Sequence, residues 1–492
     1  MNQQQFSELA KQGYTHIPVF REVAADLDTP LSAYLKLANS PNSYLFESVQ
    51  GGERWGRYSI IGLQCDEVLQ VRGEQIELFR RGECVERTQQ ADPLHWIEQY
   101  QSRFKVPQLT GLPRFIGGLV GYFAYDTIRY IEPKLGSCPN TDEFGSADIM
   151  LMLSTEILVF DNLKGSAYIV VLASASEGQF AQARQRIDEL ALGLQKNASS
   201  SPLYVHEGEV SKLDFVSGFS EQGFKQAVVK AKDYIAAGDV MQVVLSQRLN
   251  ADFKGDAVNV YRHLRRLNPS PYMYYLNMGE FEIVGSSPEI LVRQEGDEVT
   301  VRPIAGTRPR GENQQQDIAL EKELLADPKE LAEHLMLIDL GRNDIGRIAQ
   351  VGTVELTDKM IVERYSHVMH IVSNVKGKLA PDYSCMDVLR ATFPAGTVSG
   401  APKIRAMEII DELEPVKRGV YSGAVGYISW QGDMDTAIAI RTAVIKDGTI
   451  SVQAGAGIVY DSVPENEWIE TLNKAKAVLR AAAAAEKAGS RP

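Results

Sequence analysis

Apolar residues follow two different periods along the chain, and these periods predict its secondary structure. In the first 175 residues, β-type runs such as ILVFDN (157–162) and AYIVVLAS (167–174) lie between Gly-rich turns. From residue 222 onward, apolar residues at helical spacing alternate with further strand-like runs such as ISVQAGAGIVY (450–460). Because many strands follow one another through short turns, the pattern predicts antiparallel sheets covered by helices.

A polar segment near residue 200 divides this pattern. The sequence NASSSPLYVHEGEVSK, at 197–212, is rich in small and polar residues, a composition typical of a linker or a long excursion. We therefore predict a smaller, strand-rich unit over 1–215 and a larger unit over 216–492, which together form an α+β fold.

Composition excludes several classes of protein. The 492 residues are 44% hydrophobic and 23% charged, which is ordinary for a globular enzyme. A formal net charge of −13 argues against nucleic acid or an anionic membrane as a partner. No signal-peptide pattern opens the chain, and no run approaches the roughly 18 apolar residues of a membrane span. We therefore predict a cytoplasmic protein with reduced thiols at its scattered cysteines, Cys65, Cys84, Cys138 and Cys385.

Two predicted helices carry glutamates that lie off the buried face. In DPKELAEHLMLIDLGRNDIGR (327–347), Asp327 suits an N-cap, and a capping box is a sufficient explanation for Glu330. The apolar spacing predicts a buried stripe of Leu331, Leu335 and Ile338. Glu333 and His334 then face solvent or a cleft.

The second helix, PENEWIETLNKAKAVLR (464–480), places Glu467, Glu470 and Lys474 on one face, which by itself is an ordinary ion-paired surface. The strand before it ends in Gly455-Ala456-Gly457, where missing side chains let backbone N–H groups approach an anion. The surroundings of this GxG do not fit a dinucleotide-binding site.

Three further Gly-rich turns lie beside strands in the second half. They contain Gly306-Thr307 in RPIAGTRPRG, the segment FPAGTVSGAPK (393–403), and Tyr421 in GVYSGAVGY. Each alone is more often a turn than a site. Together they resemble a pocket for a polyanion.

Three charged or titratable residues interrupt apolar strands. Arg441, in TAIAIRTAVIK, needs an anion if it is buried, either a structural carboxylate or one on a ligand. His370 is more often a hydrogen-bonded strand histidine than an acid–base catalyst. Glu289, in GSSPEILV, is either an acid with a raised pKa or a charge at the end of a strand.

Taken in order, the motifs GSSPE, PIAGTRPRG, AEHLMLIDLGRND, RYSHVMHIVS, FPAGTVSGAPK, GAVGY, GAG and ETLNKA resemble the chorismate-utilising enzyme family. The first half, through LFES (45–48), GGERWGRYSIIG (51–62) and GGLVGYFAYD (117–126), is similar to the large subunits of anthranilate synthases. The resemblance implies two β-sheets packed together with helices outside, and a smaller strand-rich N-terminal unit packed on them.

The resemblance also implies roles for individual residues. Mg²⁺ would be held by Glu333 and Glu470, with Glu330 and Glu467 in support, since carboxylate oxygens suit this hard cation. Glu289 would protonate the departing 4-hydroxyl of chorismate, and His370 would remove the C2 proton. The two carboxylates of chorismate would be bound by Gly306, Thr307, Tyr421, Arg441, Gly455, Ala456, Gly457 and Lys474.

Two positions indicate the nucleophile. Gln242 and Ala305 stand where relatives that use water or a lysine amine carry a Lys, so the resemblance implies direct amination at C2 by ammonia. The product would be aminodeoxyisochorismate, and pyruvate elimination would then give anthranilate, the first step of tryptophan biosynthesis. The alternatives are a relative that stops at aminodeoxyisochorismate and a regulatory subunit without catalysis.

Regulation and partners are implied by the same resemblance. Ser48, in LFES, and Pro271, Tyr272 and Met273, in NPSPYM, resemble a feedback site for L-tryptophan, although a polyproline-like packed turn would also explain them. The chain has no Cys-His amidotransferase unit. Ammonia would therefore come from a separate glutamine amidotransferase subunit.

Overall fold

The computed structural model describes residues 1–49, 56–197, 214–365 and 368–489. Most of the predicted linker at 197–212, and residues 51–55 of the Gly-rich segment at 51–62, lie outside these residues. Within the described part of the chain, no helix is long and apolar enough to cross a membrane.

The α-helices occur where the spacing of apolar residues predicts them. In EQGFKQAVVKAKDYIAAGD (221–239) the apolar spacing predicts a helix that Gly238 stops, and the observed helix ends two residues before this glycine. The sequence also predicts a helix near 257–267, and one is observed at those residues. In the described residues the α-helices are α1 (Gln3–Lys11), α2 (Pro30–Leu37), α3 (Pro93–Gln101), α4 (Ile128–Ile131), α5 (Gln179–Leu194), α6 (Glu221–Ala236), α7 (Ala257–Leu267), α8 (Gln314–Ala326), α9 (Pro328–Gly346), α10 (Cys385–Thr392), α11 (Lys403–Leu413) and α12 (Pro464–Gly489).

The strands are short and mostly joined by tight turns. They are β1 (His16–Ala24), β2 (Ser43–Glu47), β3 (Tyr58–Gly62), β4 (Glu67–Arg72), β5 (Gln75–Arg80), β6 (Glu83–Gln89), β7 (Gly118–Phe123), β8 (Ile149–Ser154), β9 (Glu156–Asp161), β10 (Ser166–Ser174), β11 (Val216–Ser217), β12 (Gln242–Asp252), β13 (Tyr272–Asn277), β14 (Glu282–Ser287), β15 (Ile290–Glu295), β16 (Glu298–Val301), β17 (Ile304–Pro309), β18 (Glu355–Arg364), β19 (Val368–Lys378), β20 (Gly400–Ala401), β21 (Ala424–Ser429), β22 (Met434–Ile438), β23 (Thr442–Lys446) and β24 (Thr449–Ile458).

These strands form two antiparallel sheets of twelve strands each within the described residues. Sheet A has the order β1-β10-β9-β3-β2-β13-β14-β23-β24-β12-β11, and β20 also pairs with β12. Sheet B has the order β17-β19-β16-β15-β22-β21-β7-β8-β4-β5-β6, and β18 also pairs with β19. The predicted α+β fold with antiparallel sheets and outer helices is therefore confirmed.

Strands from both predicted units take part in each sheet. In sheet A, β2 of the first half pairs with β13 of the second half, and in sheet B β7 pairs with β21. The two halves are thus hydrogen-bonded side by side. The boundary near residue 215 stays a prediction.

Apolar residues form one layer between the sheets and further layers beneath the helices. The layer between the sheets includes Tyr44 and Ile283 from sheet A, and Leu69 and Ile428 from sheet B. On the other face of sheet A, α7 and α12 bury residues such as Leu264 and Val478. Burial of both faces explains why the central strands read as nearly continuous apolar runs.

The predicted buried stripe of α9 is partly wrong. Leu335 is 49% exposed, whereas His334 is fully buried with Nε2 2.7 Å from Ser373 Oγ. The face that packs on β17 and β19 consists of His334, Leu337, Ile338, Gly341 and Ile345. A hydrogen bond compensates for burial of the imidazole, and apolar spacing alone does not reveal it.

Two segments predicted as single strands are each divided. EVTVRPIAG (298–306), whose β-type residues predict one strand, forms β16 and part of β17, and TAIAIRTAVIK forms β23 and most of β22. In the second case the halves belong to different sheets, because the chain leaves sheet B after Ile438 and enters sheet A at Thr442. The earlier link between β14 and β15, at residues 288–289, crosses in the opposite direction.

A buried ion pair lies beside these crossings. Arg418 and Glu414 have side chains that are only 1% exposed, and Arg418 Nη2 lies 2.6 Å from Glu414 Oε1. Arg418 also donates to the carbonyl oxygens of Val398 (2.7 Å) and Val244 (2.8 Å). One guanidinium therefore joins β12, the turn at 396–398 and the segment that leads into β21.

We expect Glu414→Gln to destabilise the protein by about 3–5 kcal/mol, because it leaves the buried charge of Arg418 without its counter-ion. Urea unfolding followed by tryptophan fluorescence measures the change. Asp66→Asn is the matched control, since its ion pair with Arg81 is exposed and its loss should leave the midpoint unchanged. Equal midpoints for both variants would contradict the structural role of the buried pair.

Candidate active site and regulatory cavity

The two crossings run next to each other and are hydrogen-bonded together. The N–H of Ser286 donates to the carbonyl oxygen of Arg441 (3.1 Å), and the N–H of Ile438 donates to that of Glu289 (3.0 Å). Glu289 directly precedes β15 and Arg441 directly precedes β23. Both side chains therefore lie where the chain passes between the sheets.

Arg441 combines backbone strain with an incompletely neutralised charge. Its φ of 54° lies in the left-handed region, which is unusual for a residue with a side chain. Nη1 donates to the carbonyl oxygen of Lys474 (3.0 Å), but none of the described carboxylates forms an ion pair with the guanidinium. Burial lowers the pKa of Arg441, although nearby Tyr421 and Glu470 oppose this effect. Of the two interpretations left open by the sequence, the geometry favours an anionic ligand.

The Gly455-Ala456-Gly457 segment is shaped by two neighbouring side chains. A Cβ atom at Gly455 would lie 2.7 Å from the hydroxyl oxygen of Tyr421. A Cβ atom at Gly457 would lie 2.3 Å from Nε2 of Gln242. Both contacts are shorter than real Cβ atoms show, so glycine is required at each position for Tyr421 and Gln242 to approach the strand.

Lys474 connects this strand to the acidic helix face. Its Nζ donates to the carbonyl oxygen of Gly455 (2.9 Å) and forms an ion pair with Oε1 of Glu470 (2.7 Å). The predicted alignment of Glu470 and Lys474 is therefore observed. An ammonium group held in this way adds a second positive charge beside Arg441.

His370 faces the Gly306-Thr307 turn across paired strands β17 and β19. His370 Nδ1 is 3.0 Å from the carbonyl oxygen of Gly306 and 3.0 Å from Thr307 Oγ1. Because a carbonyl oxygen only accepts, Nδ1 carries the proton in that bond and the lone pair of the neutral ring lies on Nε2. Burial lowers the pKa of His370, and the charge of Arg441 acts in the same direction. Imidazole in this setting is neutral near pH 7 and can accept a proton.

Glu289 is a buried carboxyl with an unusual affinity for its proton. It is 6% exposed, and burial raises its pKa to about 8. Lys474 and the backbone of Ile304 act in the opposite direction. Glu289 and Thr397 line a small cavity of about 40 Å³. Of the two interpretations from sequence, the protonated acid fits this environment, because a strand-end charge would be solvated.

Four glutamates from α9 and α12 lie on the same side of this pocket. A Cβ at Gly306 would be 3.2 Å from Oε2 of Glu330. Burial raises the pKa of Glu333, and the charges of Glu330 and Glu470 raise it further. Burial likewise raises the pKa of Glu467, again with a contribution from Glu470. Carboxylates therefore repel one another within each helix and, for Glu470 and Glu333, between the two helices, an arrangement that a divalent cation would relieve.

In the described residues no three His, Cys, Asp or Glu side chains come close enough to enclose a metal ion by themselves. Mg²⁺ usually keeps several waters and takes only one or two protein carboxylates together with anionic groups of the substrate. Glu333 and Glu470 match this donor set, because they come from different helices and the charge of Glu470 raises the pKa of Glu333.

All predicted substrate, acid–base and metal candidates therefore belong to one connected region. Two further residues lie there that the sequence pattern does not single out. Thr397 belongs to FPAGTVSGAPK, whose composition indicates only a turn, and Tyr365 packs against His370 with ring centroids 5.5 Å apart. Neither residue breaks an apolar pattern, so periodicity gave no signal for either.

The four remaining candidates lie elsewhere, in a cavity of about 920 Å³. Ser48, Pro271, Tyr272 and Met273 all line it, and none of the substrate or acid–base candidates does. One wall is formed by Tyr272, Arg293 and Asp435, with Tyr272 Oη donating to Asp435 Oδ1 (2.8 Å) and Arg293 Nη2 2.6 Å from Asp435 Oδ2. The cavity offers apolar surface together with paired charges, which suits a small zwitterionic ligand.

Comparisons with known proteins agree with this geometry. A family model described as chorismate binding enzyme matches residues 42–480. Anthranilate synthase component 1 of Pseudomonas aeruginosa is 57% identical over 488 residues, which cover 99% of both chains. The crystal structure of anthranilate synthase component I from Streptococcus pneumoniae is 40% identical, with a TM-score of 0.77 over 93% of this chain and 99% of that one.

The menaquinone-specific isochorismate synthase of Escherichia coli shares the fold at 20% identity, with a TM-score of 0.69 over 97% of this chain and 98% of that one. The family model begins just before β2 and ends within α12, so it covers every strand of both sheets except β1, and the whole candidate site. The resemblance noted from the ordered motifs is confirmed. The chain belongs to the chorismate-binding enzyme family.

Proposed function

We propose that the protein aminates chorismate with ammonia in the cytoplasm and then eliminates pyruvate, giving anthranilate for tryptophan biosynthesis. The partly buried guanidinium of Arg441 carries this proposal, because it lacks a carboxylate partner among the described residues and lies beside Tyr421 and Lys474. Chorismate brings two carboxylates. Arg441, Tyr421 and the Gly455–Gly457 backbone would bind one, and Gly306, Thr307 and the metal site would bind the ring carboxylate.

Mg²⁺ is part of the proposal through the four glutamates. Glu333 and Glu470 would hold it, and Glu330 and Glu467 would bind its waters. When bound, the ion would neutralise the carboxylate repulsion and polarise the ring carboxylate of the substrate. Lys474, which is paired with Glu470 in this structure, would then be available to the substrate.

The chain's own residues account for the proton movements. Glu289 would donate its proton to the departing 4-hydroxyl as ammonia adds at C2, which gives aminodeoxyisochorismate. His370, neutral and with its Nε2 lone pair free, would then take the C2 proton as the enolpyruvyl group leaves as pyruvate. Gln242 and Ala305 provide no amine to activate water or attack the ring. This supports ammonia as the nucleophile.

Two further proposals concern partners. A separate glutamine amidotransferase subunit would supply the ammonia, in agreement with the component 1 designation of the relatives. L-Tryptophan would bind in the 920 Å³ cavity against Pro271, Tyr272 and Met273 and inhibit the reaction, with Ser48 at the same wall.

With chorismate, Mg²⁺ and an ammonium salt, the protein should release pyruvate and fluorescent anthranilate in equal amounts, and EDTA should stop both. Glu470→Gln should lose most activity, whereas Glu465→Gln, an exposed change on the same helix, should keep it. Chorismate consumption without pyruvate would identify the alternative that stops at aminodeoxyisochorismate. No consumption of chorismate would refute the proposal, and would support a regulatory subunit without catalysis.

The raised pKa of Glu289 predicts a pH dependence. As a general acid it is active when protonated, so activity at a fixed concentration of free NH₃ should be full well below pH 8 and decline through about pH 8. Glu289→Gln should lower kcat by roughly 10²–10⁴-fold. Glu282→Gln, at the other end of the preceding strand β14, should keep the wild-type profile. An alkaline limb that persists in Glu289→Gln would assign it to another group.

A bulky side chain in the 920 Å³ cavity tests tryptophan binding without changing the candidate active site. Leu112 lines the cavity, so Leu112→Trp should abolish inhibition by L-tryptophan while leaving chorismate turnover within about twofold. Gln108→Trp, an exposed neighbour, is the control and should stay sensitive. Isothermal titration with L-tryptophan measures binding directly. If wild-type protein neither binds nor responds to tryptophan, the regulatory assignment is wrong.

A further inference from the structure

Tyr365 packs edge-on against the imidazole of His370. The ring centroids are 5.5 Å apart and the planes are inclined at 62°. Tyr365 directly follows β18, whose residue Glu363 lies opposite His370 in the β18–β19 ladder. An aromatic edge at this distance restricts the orientations that the imidazole can adopt.

The phenol of Tyr365 is itself anchored. Its Oη donates to Oε2 of Glu363 (2.9 Å), and burial together with Glu363 raises the pKa of the phenol, so it remains a donor. The backbone of Tyr365 is held as well. Its N–H donates to the carbonyl oxygen of Val368 (2.8 Å), and its carbonyl oxygen accepts from Nη1 of Arg310 (2.7 Å).

Glu363 is fixed by a second partner. Its other oxygen, Oε1, forms an ion pair with Arg302, whose side chain is only 10% exposed. Arg302 Nη1 also lies 3.8 Å from Asp358 Oδ2. A continuous series of contacts therefore runs from Arg302 through Glu363 and Tyr365 to His370, and charge-assisted bonds of this kind are the stronger ones.

The hydrogen bond from His370 Nδ1 to the carbonyl oxygen of Gly306 does not by itself fix the tilt of the imidazole plane. This bond and the contact with Thr307 Oγ1 both involve Nδ1, so they fix one ring atom but still allow the plane of the imidazole to tilt about it. The ring of Tyr365 supplies the second contact that defines this plane. The charge of Glu289 also contributes to the raised pKa of Tyr365.

We propose that Tyr365, anchored by Glu363 and Arg302, is a positioning residue that directs Nε2 of His370 toward the C2 proton of the aminated intermediate. The proposal rests on the function proposed above, specifically on His370 as the base of the second step. It assigns Tyr365 to pyruvate elimination and leaves amination to other residues.

The test compares the two steps in single-enzyme assays with chorismate, Mg²⁺ and ammonium. Tyr365→Phe keeps the ring and removes only its anchor on Glu363. We expect the ratio of released aminodeoxyisochorismate to anthranilate to rise about tenfold, while KM for chorismate and its rate of consumption stay within about twofold. Tyr365→Leu, which also removes the aromatic edge, should raise the ratio further. Liquid chromatography resolves the two products.

Three variants calibrate the result. His370→Met should accumulate the aminated intermediate and sets the largest ratio that loss of the base can produce. Tyr234→Phe breaks an equivalent phenol–carboxylate bond, to exposed Glu412, outside the site and should leave the ratio unchanged. Glu363→Gln keeps an acceptor for the phenol but loses the ion pair with Arg302, so its ratio should lie between wild type and Tyr365→Phe.

The outcomes are distinguishable. A wild-type ratio in folded Tyr365→Phe would overturn the positioning role, as would an equal loss of both steps, which indicates a structural role alone. If Tyr365→Leu does not fold, Tyr365→Phe decides between these outcomes, because it preserves the buried ring. Normal anthranilate formation by His370→Met would exclude His370 as the base and the positioning role with it. Failure of the wild-type protein to form anthranilate would refute the proposed function itself.

Discussion

A chain that passes between two packed sheets must carry backbone and polar groups through a region otherwise filled with apolar side chains. In this protein two such crossings lie side by side, and their amides and carbonyl oxygens satisfy one another at the links around Glu289 and Arg441. The left-handed backbone of Arg441 is a consequence of this arrangement. Moving either crossing would disturb both sheets, so the two side chains are held on rigid elements.

Charge distribution follows from the same constraint. Arg441 and Lys474 supply positive charge, and glutamates of α9 and α12 lie near them, with Glu470 paired to Lys474. Burial of Arg441 without a carboxylate partner among the described residues, and of Glu333 and Glu467 near other carboxylates, costs free energy in the unliganded protein. A dianionic substrate with a divalent cation would relieve both imbalances together. The free energy that these charges cost in the free protein would then contribute to binding.

The large cavity and the candidate active site share two strands. β15 follows directly from Glu289 and contributes Arg293 to the cavity wall, and β22 contributes Asp435 to that wall and leads to Arg441. The ion pair between Arg293 and Asp435 therefore joins the strands that carry the two crossing residues.

The sequence by itself determined the α+β class, most helix positions, the family and the identity of nearly every residue in the candidate site. Ordered motifs and periodicity are properties of the sequence itself, so they can be identified without a structure. Where a local pattern was ambiguous, the outcome depended on long-range packing. Apolar spacing could not show that TAIAIRTAVIK divides between sheets, that His334 is buried on Ser373, or that Arg441 lacks a carboxylate partner among the described residues.

The tertiary structure alone decided which residues act on one another. It brought Tyr365 onto His370, put Thr397 beside Glu289 and raised the pKa of that carboxyl. These effects arise from desolvation and from contacts between strands far apart in the chain. A sequence pattern reports the residue types available for such contacts, but burial and distance exist only once the sheets have packed.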